Sequence, residues 1–208
     1  MTGILAIWHD LEDAYSELYE HWLVTEHIPE RLALPGFVEA RRYETLKGGP
    51  RFFIAYAATA PEALASPEYL ARLASPTPQT REVMKGFRNM VRTACSVAYR
   101  SPRQGLGGCV VTAYAENPAV IDEGQLERDP RVVGVQLWKA ARGPAGATSS
   151  EAKLRPGGDR SIEAALVAEV MREKDGEALE DRVRSALGAG ARVHAGSYRL
   201  LGAWRNEP

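Results

Sequence analysis

The order of secondary-structure signals in this chain predicts an α+β fold made of two βαββαβ units whose sheets pack face to face. Three observations carry that reading. Strand and helix patterns follow one another as β-α-β-β-α-β over the first 103 residues, which is the ferredoxin-like order, and the same order recurs over 104–208. Short echoes relate the two units: Leu34-Pro35-Gly36-Phe37-Val38 against Asp129-Pro130-Arg131-Val132-Val133, and Glu62-Ala63-Leu64 against Glu177-Ala178-Leu179. A four-stranded antiparallel sheet with both helices on one side also leaves its other face bare, so two such sheets bury those faces on each other and enclose a space.

Residues 3–9, GILAIWH, are a short apolar run of strand formers. Asp10 or Asp13 can cap a helix reaching about Glu26, and Pro29 signals its end or a bend because it disfavours helical geometry at Ile28. After the Leu34-Pro35-Gly36 turn, GFVEARRYETL and RFFIAYAAT are strands on either side of the break Lys47-Gly48-Gly49-Pro50. Ser66-Pro67-Glu68 opens a helix with a serine cap and proline in the first turn, Ser75-Pro76-Thr77-Pro78 interrupts the helical pattern, and MVRTACSVAYR closes the first unit as a strand. In the second unit LGGCVVTAYAE is a strand, PAVIDEGQLER a short helix and RVVGVQLWKA a strand. SIEAALVAEVMR is a strand candidate with helix-like composition, DGEALEDRVRSALG a helix closed by Gly188, and ARVHAGSYRLLGAW the last strand. Residues 140–160 are Gly-, Ala- and Ser-rich, too long for a simple turn, and read as a mobile loop or a lid over the enclosed space.

Composition narrows the function. The 208 residues are 45% hydrophobic and 25% charged with a net charge of -1, which fits a globular chain and not a disordered one. With no basic stripe, a nucleic-acid partner is not expected. No apolar run approaches the roughly 20 residues of a membrane span, and the N-terminus lacks the basic start of a secretory signal, so a cytoplasmic protein is expected. Cys95 and Cys109 are too few for a disulfide framework and read as buried, inert side chains. Four scattered histidines lack metal-ligand spacing, so no metal and no tightly bound cofactor is expected.

The densest chemistry lies in Trp22-Leu-Val-Thr-Glu26-His27-Ile-Pro29-Glu-Arg31, followed by Pro35-Gly36-Phe37 and Arg41-Arg42-Tyr43. An aromatic residue, Glu-His-x-Pro, Pro-Gly-Phe and an arginine-rich strand together resemble the dimeric α/β-barrel superfamily and, within it, the EthD-like proteins. The motif covers about the first 100 residues; the remainder is covered by element order alone. The resemblance implies an intramolecular version of the two-subunit barrel, as a monomer or a further homodimer, with a cavity and His27 near its mouth. It leaves the activity open among isomerases, monooxygenases, haem enzymes and proteins of unknown role.

On physical grounds, a histidine at a helix end sits beside free carbonyls that favour its cation and bring its titration near neutrality. Glu26 would orient His27, while Arg42 and Tyr43 would bind a developing oxyanion; the competing reading pairs Arg42 with Glu26 or Glu44. His9 is either a second acid/base group or a strand-end histidine in solvent. Trp22, Trp8 and Phe53 would supply apolar walls for a substrate. The expected function is that of a small-molecule enzyme without a tightly bound cofactor, an isomerase, lyase or cofactor-free oxygenase. It would perform acid/base chemistry on an apolar aromatic or lactone-like carbonyl compound. The alternatives are a non-catalytic ligand-binding or stress-associated protein, and a protein holding haem weakly through one histidine.

Overall fold

The computed structural model describes residues 2–118, 122–141, 149–188 and 193–206. Eight strands, β1 Gly3–Leu11, β2 Phe37–Gly48, β3 Phe52–Ala58, β4 Phe87–Gln104, β5 Cys109–Ala115, β6 Val132–Ala140, β7 Ala164–Val170 and β8 Val193–Arg205, close into a barrel in the order β1-β3-β2-β8-β5-β7-β6-β4. Every pairing between these strands is antiparallel. The first four strands lie as β4-β1-β3-β2 and the last four as β8-β5-β7-β6, so both sets share one spatial order. The two seams, β2 with β8 and β4 with β6, use the longest strands, and closure leaves no open sheet edge.

Strand alternation sorts the side chains. Ile4, Ala6 and Trp8 of β1, Tyr43 of β2, Phe53 of β3 and Val167 of β7 fill the barrel interior. Leu5, Ile7 and Leu11 point outward to a helical layer. Over the first half that layer is α1 Ser16–Trp22, a π-helical turn Leu23–His27, α2 Ile28–Leu32, α3 Pro67–Ala74 and α4 Pro78–Val83. Over the second half are α5 Gly124–Glu127 and, after α6 Ser150–Lys153 in the β6–β7 connection, the long α7 Glu173–Leu187. Ser66 caps α3 as its sequence predicts, its hydroxyl accepting from the Tyr69 amide at 3.2 Å. The β2–β3 hairpin turns on Gly48 and Gly49, whose φ values of 66° and 56° suit residues without a Cβ.

Two expectations are corrected. The first helix does not run from Asp10 or Asp13 to Glu26: β1 extends to Leu11, Asp13–Tyr15 form a 3-10 turn, and the helical path continues past Pro29 to Leu32. Pro29 sits in the first turn of α2, where its missing N–H is tolerated, and the π turn before it absorbs the mismatch. The excursion between β6 and β7 is also not a simple lid over the space between the sheets: Ile162 packs with the interior side chains, whereas α6 turns to the helical layer. Residues 142–148 of it lie outside the described residues; α6 lies against the helical layer of the first half, beside α3. There the Arg160 carbonyl accepts from the Arg92 amide at 2.8 Å, and Glu151 meets Arg31 at 2.7 Å.

Candidate active site

The local chain path explains why His27 is buried. In a regular α-helix, residues 22 and 27 lie about 140° apart around the axis. The Ile28 amide instead donates to the Leu23 carbonyl five residues back, and this wider turn brings His27 round beside Trp22. The two rings lie 4.2 Å apart between centroids, and the Tyr56 ring stands edge-on to His27 at 6.1 Å. Trp22 is fixed by its indole N–H, which donates to Thr80 Oγ1 at 3.0 Å and Glu26 Oε1 at 3.2 Å. The same Glu26 oxygen accepts from Thr77 at 2.5 Å and Thr80 at 2.8 Å. Glu26 therefore anchors the tryptophan and does not orient His27, which corrects the expected role.

His27 is 7% exposed, and neither ring nitrogen has a hydrogen-bond partner among the described residues. Burial holds its pKa well below the usual 6.5, with Arg31, Arg155, Arg72 and Arg92 adding to the shift. The helix-end expectation of a cation titrating near neutrality is thus overturned. His27 lies inside a continuous helical path, away from free carbonyls, and is a neutral imidazole at pH 7.

It borders a cavity of about 30 Å³ between helices and sheet, walled by Trp22, Tyr19, Met84 and Phe87 and by the polar groups His9, Arg92, Glu151 and Arg155. Glu151 binds Arg31 at 2.7 Å and Arg155 at 3.4 Å, and Arg155 Nε donates to Asp159 at 2.7 Å. Although burial opposes its ionisation, these guanidiniums hold the Glu151 carboxyl below its usual range. Arg31 Nη1 and the Tyr56 hydroxyl are buried without partners among the described residues. Arg92, Arg155 and Glu151 line the cavity, with Arg31 and Asp159 paired to them just behind it.

The remaining predicted residues divide between this cleft and the barrel. His9 is fully buried, bonded to the Tyr19 hydroxyl at 3.1 Å and packed on Phe87 at 4.6 Å. It is not a solvent-facing strand end, and burial lowers its pKa to about 3. Arg42 pairs with Glu20, not Glu26 or Glu44, and lies over the Tyr19 and Phe52 rings at 5.1 and 4.9 Å. Tyr43, Trp8 and Phe53 point inside the barrel, where Phe53 stacks on Trp8 at 4.8 Å and on Tyr43 at 5.2 Å. The structure therefore separates them from His27 by the sheet itself.

His21 and His194 are exposed. Cys95 and Cys109 are buried and free, and desolvation pushes the Cys95 thiol up to about 12. Among the described residues no three His, Cys, Asp or Glu side chains gather in a metal-binding group. Nor does haem fit beside His27: Trp22 packs against the ring, and the adjoining space has room for only one or two waters. Sequence reasoning missed Arg31, Tyr56, Arg92 and Glu151. Arg31, four residues after His27 on one helix, and Arg92, a charge inside an apolar strand, carried readable signals. Glu151 did not, because its contact spans 120 positions.

No protein-family model matches the chain, and no curated protein is similar to it in sequence. Solved structures are similar in fold. An anthrone oxidase-like protein superposes with a TM-score of 0.61, over 98% of this chain and 92% of that one, at 14% identity. A "putative monooxygenase" of Fusobacterium nucleatum subsp. nucleatum gives 0.55 over 99% and 94% at 9% identity, and one of Lactobacillus acidophilus 0.51 over 99% and 97% at 6%. The fold is that of the dimeric α+β barrels. Here one chain supplies all eight strands. Among the described residues no helix is long and apolar enough to cross a membrane.

Proposed function

We propose that this protein is a small-molecule enzyme that abstracts a proton from an apolar aromatic carbonyl compound in the cleft between helices and sheet, with His27 as the base. The observation that carries the reading is His27 itself: buried, neutral, without a described partner on either ring nitrogen, and bordering a cavity lined by Arg92, Arg155 and Glu151. A neutral imidazole can accept a proton at pH 7 without first losing one. The nearby Arg31, Arg92 and Arg155 favour the enolate or phenolate left behind, and the Tyr56 hydroxyl, with its donor unused, can donate to the same oxygen. Trp22, Tyr19 and Phe87 would flank a flat apolar substrate. Arg42 and Tyr43 drop out of the catalytic set, His9 supports Tyr19 from behind, and Glu26 positions Trp22.

The anthrone oxidase-like neighbour favours oxygenation as the outcome of this abstraction. For an anthrone-type methylene the reaction balances as one methylene and one dioxygen giving one ketone carbonyl and one water. His27 takes the C–H proton, the carbanion is oxidised by dioxygen to a hydroperoxide, and that hydroperoxide loses water to leave the ketone. Isomerase and lyase chemistry would begin with the same abstraction. The cavity holds a small molecule such as dioxygen, and a tricyclic substrate requires the cover bearing Glu151 and Arg155 to lift. The second reading, a ligand-binding protein without turnover, is favoured by the burial of His27 and the arginines around it, which oppose the imidazolium that a base must become.

Oxygen uptake with an anthrone separates the two. An enzyme consumes one dioxygen per substrate and loses that activity on His27→Gln, whereas a binder shows no protein-dependent uptake. We further infer that 1–103 and 104–208 are ferredoxin-like repeats of a tandem duplication, supported by their shared strand order, and that the EthD-like motif marks this same cleft. A monomer then suffices for function, which sedimentation at assay concentration would test.

A further inference from the structure

A second cavity, of about 230 Å³, opens at one mouth of the barrel, on the opposite side of the sheet from His27. Its apolar floor is Phe53, Trp138 and Ile4, with the Phe53 and Trp138 rings 6.2 Å apart at 34°. The polar wall is unusual for a barrel interior. Glu169 is the last inward residue of β7 and is 5% exposed. Across the ladder it faces Gly134, past which the Gly105 backbone runs. Glu169 accepts from Arg41 at 3.3 Å and from the Gly107 amide at 3.2 Å. Arg41 also binds Glu39 at 2.7 Å, Glu39 is held in addition by Arg205 at 3.0 Å, and Arg41 Nε is buried without a partner among the described residues. On the rim Arg100 meets no carboxylate among the described residues, only the Gln104 amide oxygen at 3.5 Å.

We propose that this mouth is a binding site for a small planar aromatic carboxylate, its ring against Phe53 and Trp138 and its carboxylate between Arg100 and Arg41. The fit follows from three features: flat apolar walls of the right scale, a guanidinium at Arg100 not engaged by a described carboxylate, and a second at Arg41 with unused donor capacity. Protonation of Glu169 completes the site. Burial raises its pKa to about 7, against the opposing effects of Arg41 and the Gly107 amide. The groups facing it are Glu39, Arg41 and Tyr43 from β2, Arg100 and Arg103 from β4 and the neutral Gln136 from β6; β5 presents Val110 at the paired position. With Glu169 neutral, Arg41, Arg100 and Arg103 outweigh the single carboxylate Glu39, and an anion is favoured. With Glu169 ionised, the incoming carboxylate meets a second negative charge. The bound anion therefore favours proton uptake, and affinity falls as pH rises.

Benzoate titration followed by methyl NMR tests the proposal on the intact chain. Saturable shifts of the Ile4 and Val167 methyls are expected, with at least fivefold weaker binding at pH 8 than at pH 6. Arg100→Ala, on the surface and without a described ion pair, should weaken binding at least fivefold. Glu169→Gln should remove the pH dependence, and His27→Gln should leave binding unchanged. Absence of saturation in the wild type at either pH would overturn the proposal. So would indifference to Arg100→Ala, an unaltered pH dependence in Glu169→Gln, or loss of binding in His27→Gln.

Discussion

The two halves of the barrel cover their sheets with different chemistry. In the second half one long helix, α7, lays Leu179, Val183, Ala186 and Leu187 on Val111, Ala113, Ala168 and Val170. Small and aliphatic side chains let it sit close: a Cβ placed on Gly176 would already contact Ser197 at 3.5 Å and Val170 at 3.6 Å. The first half uses short, interrupted helices and large rings, Tyr19, Trp22, Phe37, Phe52, Tyr56, Tyr69 and Phe87, with His9, His27, Arg31 and Arg92 buried among them. Unpartnered buried polar atoms occur in both layers among the described residues, Arg31 Nη1, Arg42 Nε and Tyr56 OH in the first and Glu127 Oε1, Glu180 Oε2 and Ser197 Oγ in the second; only the first half gathers buried histidines and arginines around a cavity. A layer selected for packing alone resembles the second half. Buried ionisable groups cost stability, and their concentration beside one cavity is what a binding or reacting site requires.

The contrast can be broken most sharply at His27. Its replacement by Gln, close in size, should lower the rate of proton abstraction by about 10²–10⁴-fold. Thermal unfolding should be little changed, which checks that the loss is chemical. The complementary change is Leu179→Ala in α7, whose side chain is fully buried. It should cost about 2–5 kcal/mol of stability by urea unfolding while leaving turnover per folded molecule intact.

Stability against pH sharpens the comparison further. His9 and His27 have folded-state pKa values below the usual 6.5, so the unfolded chain takes up protons that the folded one refuses. Stability should therefore fall as pH drops below about 6.5, by up to about 1.4 kcal/mol per pH unit for each histidine, and His9→Gln should flatten the slope. At the barrel mouth the sign is opposite. Glu169, raised from 4.5 to about 7, contributes a loss of stability as pH rises through that interval, because the unfolded carboxyl ionises first. Glu169→Gln should remove this smaller alkaline component, read as the difference in urea midpoint between pH 5 and pH 8.

The succession of strands and helices along the chain, the hairpin position and the Ser66 cap were legible because each depends on neighbours within a few residues. Alternation along β1 correctly separated Ile4, Ala6 and Trp8 from Leu5, Ile7 and His9, but could not tell which set entered the barrel. That choice decides the site: it places Trp8, Tyr43 and Phe53 on one side of the sheet and His27 on the other. The burial of His27 was hidden because a π turn breaks the 100° rule on which helical faces are read. Arg31–Glu151 and Trp22–Thr80 are contacts over 120 and 58 positions, for which local periodicity carries no signal.

The most direct test of the central claim follows the proton itself. An anthrone is incubated without oxygen in deuterated buffer, and exchange of its methylene hydrogens is followed by NMR. With His27 as base in the first-half cleft, the wild-type protein should accelerate exchange and His27→Gln should not. Equal acceleration by both proteins would contradict the account and move the base elsewhere.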